Sequence, residues 1–88
     1  MPELSRFKGI IIRMYYDDVS QHYKPHVHVF YGGEEAVVAL DGEVLAGRLP
    51  SNQYRMLNGW LALHEEEVYR AWNLAVAMKP FEKIEPLA

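Results

Sequence analysis

The sequence predicts an α+β fold in which a four-stranded antiparallel meander is followed by two C-terminal helices packed on one face of the sheet. Alternating apolar residues, interrupted by tight-turn dipeptides, fill residues 7–49. An apolar period of three to four residues then runs through residues 51–79, as in an amphipathic helix. With 88 residues and no repeat or linker, the chain is expected to form a single domain spanning 1–88.

The four predicted strands are separated by turn signals. They cover approximately residues 7–16, 26–31, 35–40 and 43–49. Gly32-Gly33 and Asp41-Gly42 each favour a two-residue hairpin turn, because these residue types tolerate positive φ. The polar segment 17–25 joins the first two strands, and a connection of this length in a small domain is often functional.

The two predicted helices cover approximately residues 51–62 and 65–79. One continuous helix is less well supported, because the apolar period breaks at His64. His64 is expected at the joint between the helices, with Glu67 three residues further on as in a capping box. Pro80 ends the second helix, since proline cannot continue the hydrogen-bonding pattern.

Composition excludes several classes of protein. A net charge of −3 and a pI near 5.7 provide no global attraction to nucleic acid, so any RNA contact would need a local basic patch. The absence of cysteine excludes disulfides, thiolate ligands and cysteine nucleophiles. No apolar run approaches the roughly 20 residues that span a bilayer, and residues 1–6 do not resemble a signal peptide. The sequence therefore predicts a cytoplasmic protein without a membrane partner.

The segment with the most functional information is the predicted strand that begins at His26. His26 and His28 are two positions apart, so their side chains point to the same face, about 7 Å apart at Cα. Val27 and Val29 point to the opposite face and are expected in the core. The histidines are therefore predicted on a partly exposed face, where their replacement by alanine should change stability by only about 0.5 kcal/mol.

Three interpretations of the histidine pair remain open. In the first, Asp17 or Asp18 hydrogen-bonds an imidazole without any chemistry. In the second, the pair binds a transition metal, which imidazole nitrogens favour. A third ligand would then have to come from His22, His64 or an aspartate, and no spacing rule supplies it. We therefore predict no stoichiometric metal and no cofactor.

The third interpretation is acid–base catalysis on a phosphodiester. Two imidazoles with pKa values near neutral can serve as base and acid at pH 7. Arg13 or Lys24 would bind the phosphate, and Tyr15, Tyr16 or Tyr23 would stack a base or donate a proton. The candidate catalytic residues are His26, His28, Arg13 and Tyr15. Whether the protein is an enzyme stays open.

A set of short motifs adds a family resemblance. They are Ser5-Arg6-Phe7, Gly9-Ile10, Met14-Tyr15-Tyr16, Pro25-His26-Val27-His28-Val29, Tyr31-Gly32-Gly33-Glu34-Glu35-Ala36, Gly42-Glu43-Val44, Gly47-Arg48-Leu49-Pro50, Trp60, Leu63-His64, Trp72 and Ile84-Glu85-Pro86-Leu87. Together they resemble the bacterial domain-of-unknown-function family numbered 4160 over nearly the whole chain.

The resemblance implies a small bacterial protein that is often encoded beside a member of a second uncharacterised family, numbered 2442. This arrangement is similar to a toxin–antitoxin pair, with the His-x-His protein as the candidate toxin and its neighbour as the candidate protein partner. Two hypotheses follow. The chain is a toxin-like component with the His-x-His strand face as functional surface, for example a metal-independent ribonuclease, or it is a non-enzymatic protein-interaction module. The acidic pI favours the second.

Overall fold

The computed structural model describes residues 3–15 and 24–87 and contains one antiparallel sheet followed by two helices. The elements are β1 (Glu3–Phe7), β2 (Ile10–Arg13), β3 (His26–Tyr31), β4 (Glu34–Ala39), β5 (Val44–Gly47), α1 (Ser51–Leu63) and α2 (Glu65–Val76). The strands lie in sequence order in the sheet, each antiparallel to the next. The predicted α+β architecture is therefore confirmed, with five strands instead of four.

The additional strand comes from a turn inside the first predicted strand. Lys8 and Gly9 have φ values of 51° and 78°, and they reverse the chain so that Phe7 lies opposite Ile10 in the β1–β2 pair. A left-handed conformation is uncommon for lysine, so the Lys8-Gly9 dipeptide is a weak turn signal in the sequence. The prediction of one strand over 7–16 was wrong for this reason.

One face of the sheet packs against both helices and forms the core. Strand pairing places Ile12 opposite Val29, and Val27 opposite Val38, so that their side chains share this face. The buried residues of this face include Val27 and Val29, as predicted, and also Ile10, Ile12, Met14, Val38 and Leu40. The helices contribute Leu57, Trp60, Leu61, Val68, Ala71 and Ala75 to the same cluster.

The helices meet at His64, as the break in the apolar period predicts. The His64 backbone N–H donates to the carbonyl of Trp60 at 2.9 Å, and Nδ1 of its ring lies 2.6 Å from Oε1 of Glu67. The position of His64 between the helices is as predicted, but the capping box is not formed, because the two side chains bond to each other and not to the backbone of α2. Helix α2 ends at Val76, three residues earlier than predicted, and Met78 beyond it has a φ of 59°, a left-handed conformation that does not continue a helix.

The C-terminal segment 77–87 has no regular structure, but it returns to the sheet. The Ile84 N–H donates to the Leu4 carbonyl of β1 at 2.8 Å, and Nε1–H of Trp60 donates to the Glu85 carbonyl at 2.8 Å. These two bonds hold the segment against β1 and α1. Within the described residues, neither helix combines the length and the apolar character required to cross a membrane.

Candidate functional site

The side of the sheet opposite the core carries all four predicted site residues. We call it the histidine face and define it by Arg13, Tyr15, His26, His28, Phe30 and Glu35. Strand pairing places Arg13 opposite His28, and Phe30 opposite Glu35. The face therefore spans β2, β3 and β4 and includes Tyr15, which follows β2.

Ring contacts bring the predicted residues together. The Tyr15 ring lies 4.5 Å from the His28 ring, edge to face, and the two imidazole rings are 5.5 Å apart. Arg13 is the strand partner of His28. The sequence prediction thus selected four residues that form one cluster.

The environment of His26 differs from the prediction. His26 is only 1% exposed, its Nδ1 lies 2.9 Å from the Lys24 carbonyl, and its ring lies 5.1 Å from the Trp72 ring of α2. The expectation that both histidines are partly exposed was wrong for His26, because a helical side chain packs against the first residue of β3. The small effect on stability predicted for replacement by alanine applies to exposed side chains, so it does not apply to the buried His26.

His28 agrees better with the prediction. Its side chain is 14% exposed, and its Nδ1 lies 3.3 Å from Oε2 of Glu35 on the neighbouring strand. Carbonyl and carboxylate oxygens only accept hydrogen bonds, so His26 and His28 both donate through Nδ1–H. In the neutral ring, Nε2 then carries the lone pair in both residues.

Arg13 is partly buried beside Phe30. Its guanidinium carbon lies 5.1 Å from the centre of the Phe30 ring, which is within the range of a cation–π contact. The Nε atom is buried and has no hydrogen-bond partner. Among the described residues, Arg13 makes no hydrogen bond or ion pair.

Lys24, the alternative phosphate ligand, forms ion pairs with two carboxylates. Its Nζ lies 2.6 Å from Asp41 and 2.7 Å from Glu43. The hydrogen bond to Asp41, followed by the one to Glu43, raises the pKa of Lys24 above its ordinary range. Two carboxylates therefore already balance this charge, which makes Lys24 a poor phosphate ligand.

The remaining candidates contribute no further site in the described part of the chain. Five lie outside it: Tyr16, Asp17, Asp18, His22 and Tyr23. Residues 3–15 and 24–87 contain no group of three histidines and carboxylates that could hold a metal ion. The expected absence of a bound metal stays a prediction.

Two clefts in the described part of the chain lie away from the histidine face. One of about 280 Å³ separates α2 from the C-terminal segment and includes Arg70, Leu74 and Phe81 in its lining. Another of about 380 Å³ extends from that segment to β1 and includes Ser5 and Lys83. Neither of these two clefts is lined by a residue of the histidine face.

Two contacts of the site were missed in the sequence. Glu35 could have been identified from the Gly32-Gly33 turn, because the hairpin register brings β4 residues beside β3 on a known face. Trp72 follows the apolar period of α2, which predicts only that it packs in the helical core. Nothing in the spacing of residues indicated its contact with His26.

This site lies on a small α+β domain, in which a five-stranded meander presents an arginine, aromatic and histidine surface on the side away from the core. The chain belongs to the family described as Domain of unknown function (DUF4160), whose family model matches residues 9–73. The matched range includes every residue of the histidine face. No curated protein and no solved structure matches the chain significantly.

Proposed function

We propose that this chain is a non-enzymatic protein-interaction module and that the histidine face binds a protein partner. The observation that carries this proposal is the 1% exposure of His26. Acid–base catalysis by the pair would require both imidazoles to approach the reacting atoms within hydrogen-bond distance. A ring packed on Trp72 and bonded to the Lys24 carbonyl is suited to holding the strand in place.

The accessible part of the face has the composition of a binding surface. Arg13, Tyr15, His28 and Phe30 are all partly exposed on adjoining parts of the sheet. Arginine and large aromatic residues are enriched at protein interfaces and contribute most of the binding energy there. Their mutual ring contacts arrange these side chains before a partner arrives, which reduces the entropy lost on binding.

The proposed partner is the protein of family 2442 encoded by the neighbouring gene, which the family resemblance implies. In this proposal the two proteins form a cytoplasmic bacterial toxin–antitoxin pair, and the chain acts by binding its partner. The net charge of −3 favours a protein over RNA as the ligand.

Co-purification and calorimetry with the neighbouring protein test the proposal. We expect Tyr15→Ala and Phe30→Ala each to weaken binding at least tenfold, because each truncates an aromatic contact. Tyr69→Ala is the matched control, since Tyr69 is an exposed tyrosine on α2. Failure of the wild-type chain to bind, or equal binding by all variants, would contradict the proposal.

A ribonuclease toxin is the second candidate, favoured by the clustering of Arg13, Tyr15, His26 and His28. His28 is the more accessible of the two imidazoles and would be the first to contact a substrate. Growth arrest on induction, together with RNA cleavage by the pure protein that His28→Gln abolishes, would support the enzyme. Unaffected growth and intact RNA would support the interaction module.

A further inference from the structure

We propose that Arg13 is a carboxylate-binding point and that it binds an aspartate or glutamate side chain of a protein partner. This inference rests on the proposed function of the histidine face and specifies the chemistry of the partner segment. In the described part of the chain, the guanidinium group of Arg13 lacks the ion pairs that other cationic side chains form.

Arg13 differs from the other partly buried cation. Lys24 is also partly buried, but it is bound to two carboxylates. Even the exposed Arg6 has an ion pair, with Glu3 at 2.8 Å. Within residues 3–15 and 24–87, Arg13 is the one partly buried lysine or arginine that has neither a hydrogen bond nor an ion pair.

Glu3, the strand partner of Arg13, attracts the guanidinium only at longer range, and its carboxylate pairs directly with Arg6. A partly buried charge without a direct ion pair retains a desolvation cost that an anion would offset. The cation–π contact with Phe30 already restrains the Arg13 side chain, which reduces the side-chain entropy lost when a ligand binds. Of the guanidinium nitrogens only Nε is fully buried and unpartnered. The terminal NH groups of Arg13 therefore stay available for the bidentate pairing that a carboxylate forms.

The charges around Arg13 favour a carboxylate over a nucleic-acid backbone. A phosphate backbone requires several cations, and Lys24 is already balanced by two acids. Glu34 and Glu35 are exposed at the start of β4, where they repel each negative charge of a ligand and therefore oppose a polyanion more strongly than a single carboxylate. A single carboxylate needs only one cation, and Arg13 supplies it.

The surroundings of Arg13 also define what should flank the carboxylate. Ile11, Tyr15 and Phe30 are partly exposed on the same side of the sheet. Such side chains gain free energy when a partner covers them with apolar groups. The expected partner segment therefore has an acidic residue between apolar residues.

Titration of the ¹⁵N-labelled full chain with small probes tests this inference by NMR, independently of the neighbouring protein. The probes are blocked Leu-Glu-Leu, blocked Leu-Gln-Leu and a short single-stranded RNA. We expect the Arg13 Nε–Hε signal and the Tyr15 and Phe30 signals to shift with the glutamate peptide alone.

Variants separate the roles of charge and geometry. Arg13→Met should weaken binding of the glutamate peptide at least tenfold, whereas Arg48→Met should not, because Arg48 is an exposed arginine that already pairs with Glu34. If Arg13→Met fails to fold, Arg13→Lys tests the same point. It keeps the charge but loses the planar pairing, so it should also weaken binding of the glutamate peptide.

Equal shifts with the glutamate and glutamine peptides, no shift with either, or a larger response to RNA would overturn the inference. These outcomes are distinct from failure of the proposed function. If the chain responds to the glutamate peptide but does not bind the neighbouring protein, the carboxylate site is supported and the proposed partner is wrong. If Arg13→Met binds the neighbouring protein as tightly as the wild type does, Arg13 is not a carboxylate-binding point for that partner. The proposal that the chain is an interaction module would still stand.

Discussion

The imidazole ring of His26 lies 5.1 Å from the indole ring of Trp72, and this contact joins strand β3 to helix α2. The two rings are inclined by 55°, and the Nδ1 atom of His26 lies 2.9 Å from the Lys24 carbonyl oxygen. One member of the His-x-His pair is thereby part of the packing of the domain. His28 is the more exposed imidazole of the histidine face.

The two histidines should therefore differ in their effect on stability. His26→Ala should lower the free energy of unfolding by about 2–3 kcal/mol, because it leaves a cavity beside Trp72 and removes a buried hydrogen bond. His28→Ala should cost less than about 1 kcal/mol, since its side chain is partly exposed. Urea unfolding of the two single variants measures this difference, and equal losses would contradict it.

Gly47 in β5 should not tolerate a side chain. Its φ is 70°, and a Cβ atom placed there would lie 2.1 Å from the Glu35 carbonyl oxygen of β4. Gly47→Ala should cost more than about 2 kcal/mol, because the left-handed conformation alone costs about 1–2 kcal/mol for an L-residue. Gly33→Ala is the matched control, as a Cβ there meets nothing within 4 Å. Thermal unfolding of both variants provides the comparison.

Trp60 should be the residue that attaches the C-terminal segment to the core. Trp60→Phe retains an aromatic ring but loses the hydrogen bond to the Glu85 carbonyl, which should cost about 1 kcal/mol. We also expect faster trypsin cleavage after Lys83 in this variant, because the segment is released from α1. Trp72→Phe makes the same change on α2 and should leave cleavage at Lys83 unchanged.

The ion pair of Lys24 with Asp41 should make stability depend on pH. The hydrogen bond from Lys24 lowers the pKa of Asp41 below its ordinary value, so the stabilisation is complete above about pH 4 and is lost as pH falls through the lowered pKa. Lys24→Met should reduce the urea midpoint at pH 7, and its difference from the wild type should shrink below pH 4.

Lys79→Met is the control for that experiment, because Lys79 is exposed and has no ion pair within the part of the chain that the structure describes. It should leave the urea midpoint nearly unchanged at every pH. A difference between the wild type and Lys24→Met that stays constant from pH 7 to pH 2.5 would show that packing of the lysine stem, and not the ion pair, is responsible.

The sequence by itself determined the features that depend on residue period and local turns. The order of strands before helices, the burial of Val27 and Val29, and the joint at His64 all follow from apolar spacing. The shared face of Arg13 and His28 also follows, because strand parity alone decides which side chains lie together.

Only the tertiary structure decided which parts of that face are exposed. Strand parity places His26 and His28 on one side, but it contains no information about the helix residue that packs against one of them. The Trp72 contact depends on how α2 lies against the end of β3, which is a long-range arrangement. The turn at Lys8-Gly9 was likewise decided by pairing of β1 with β2, which stabilises a conformation that lysine seldom adopts by itself.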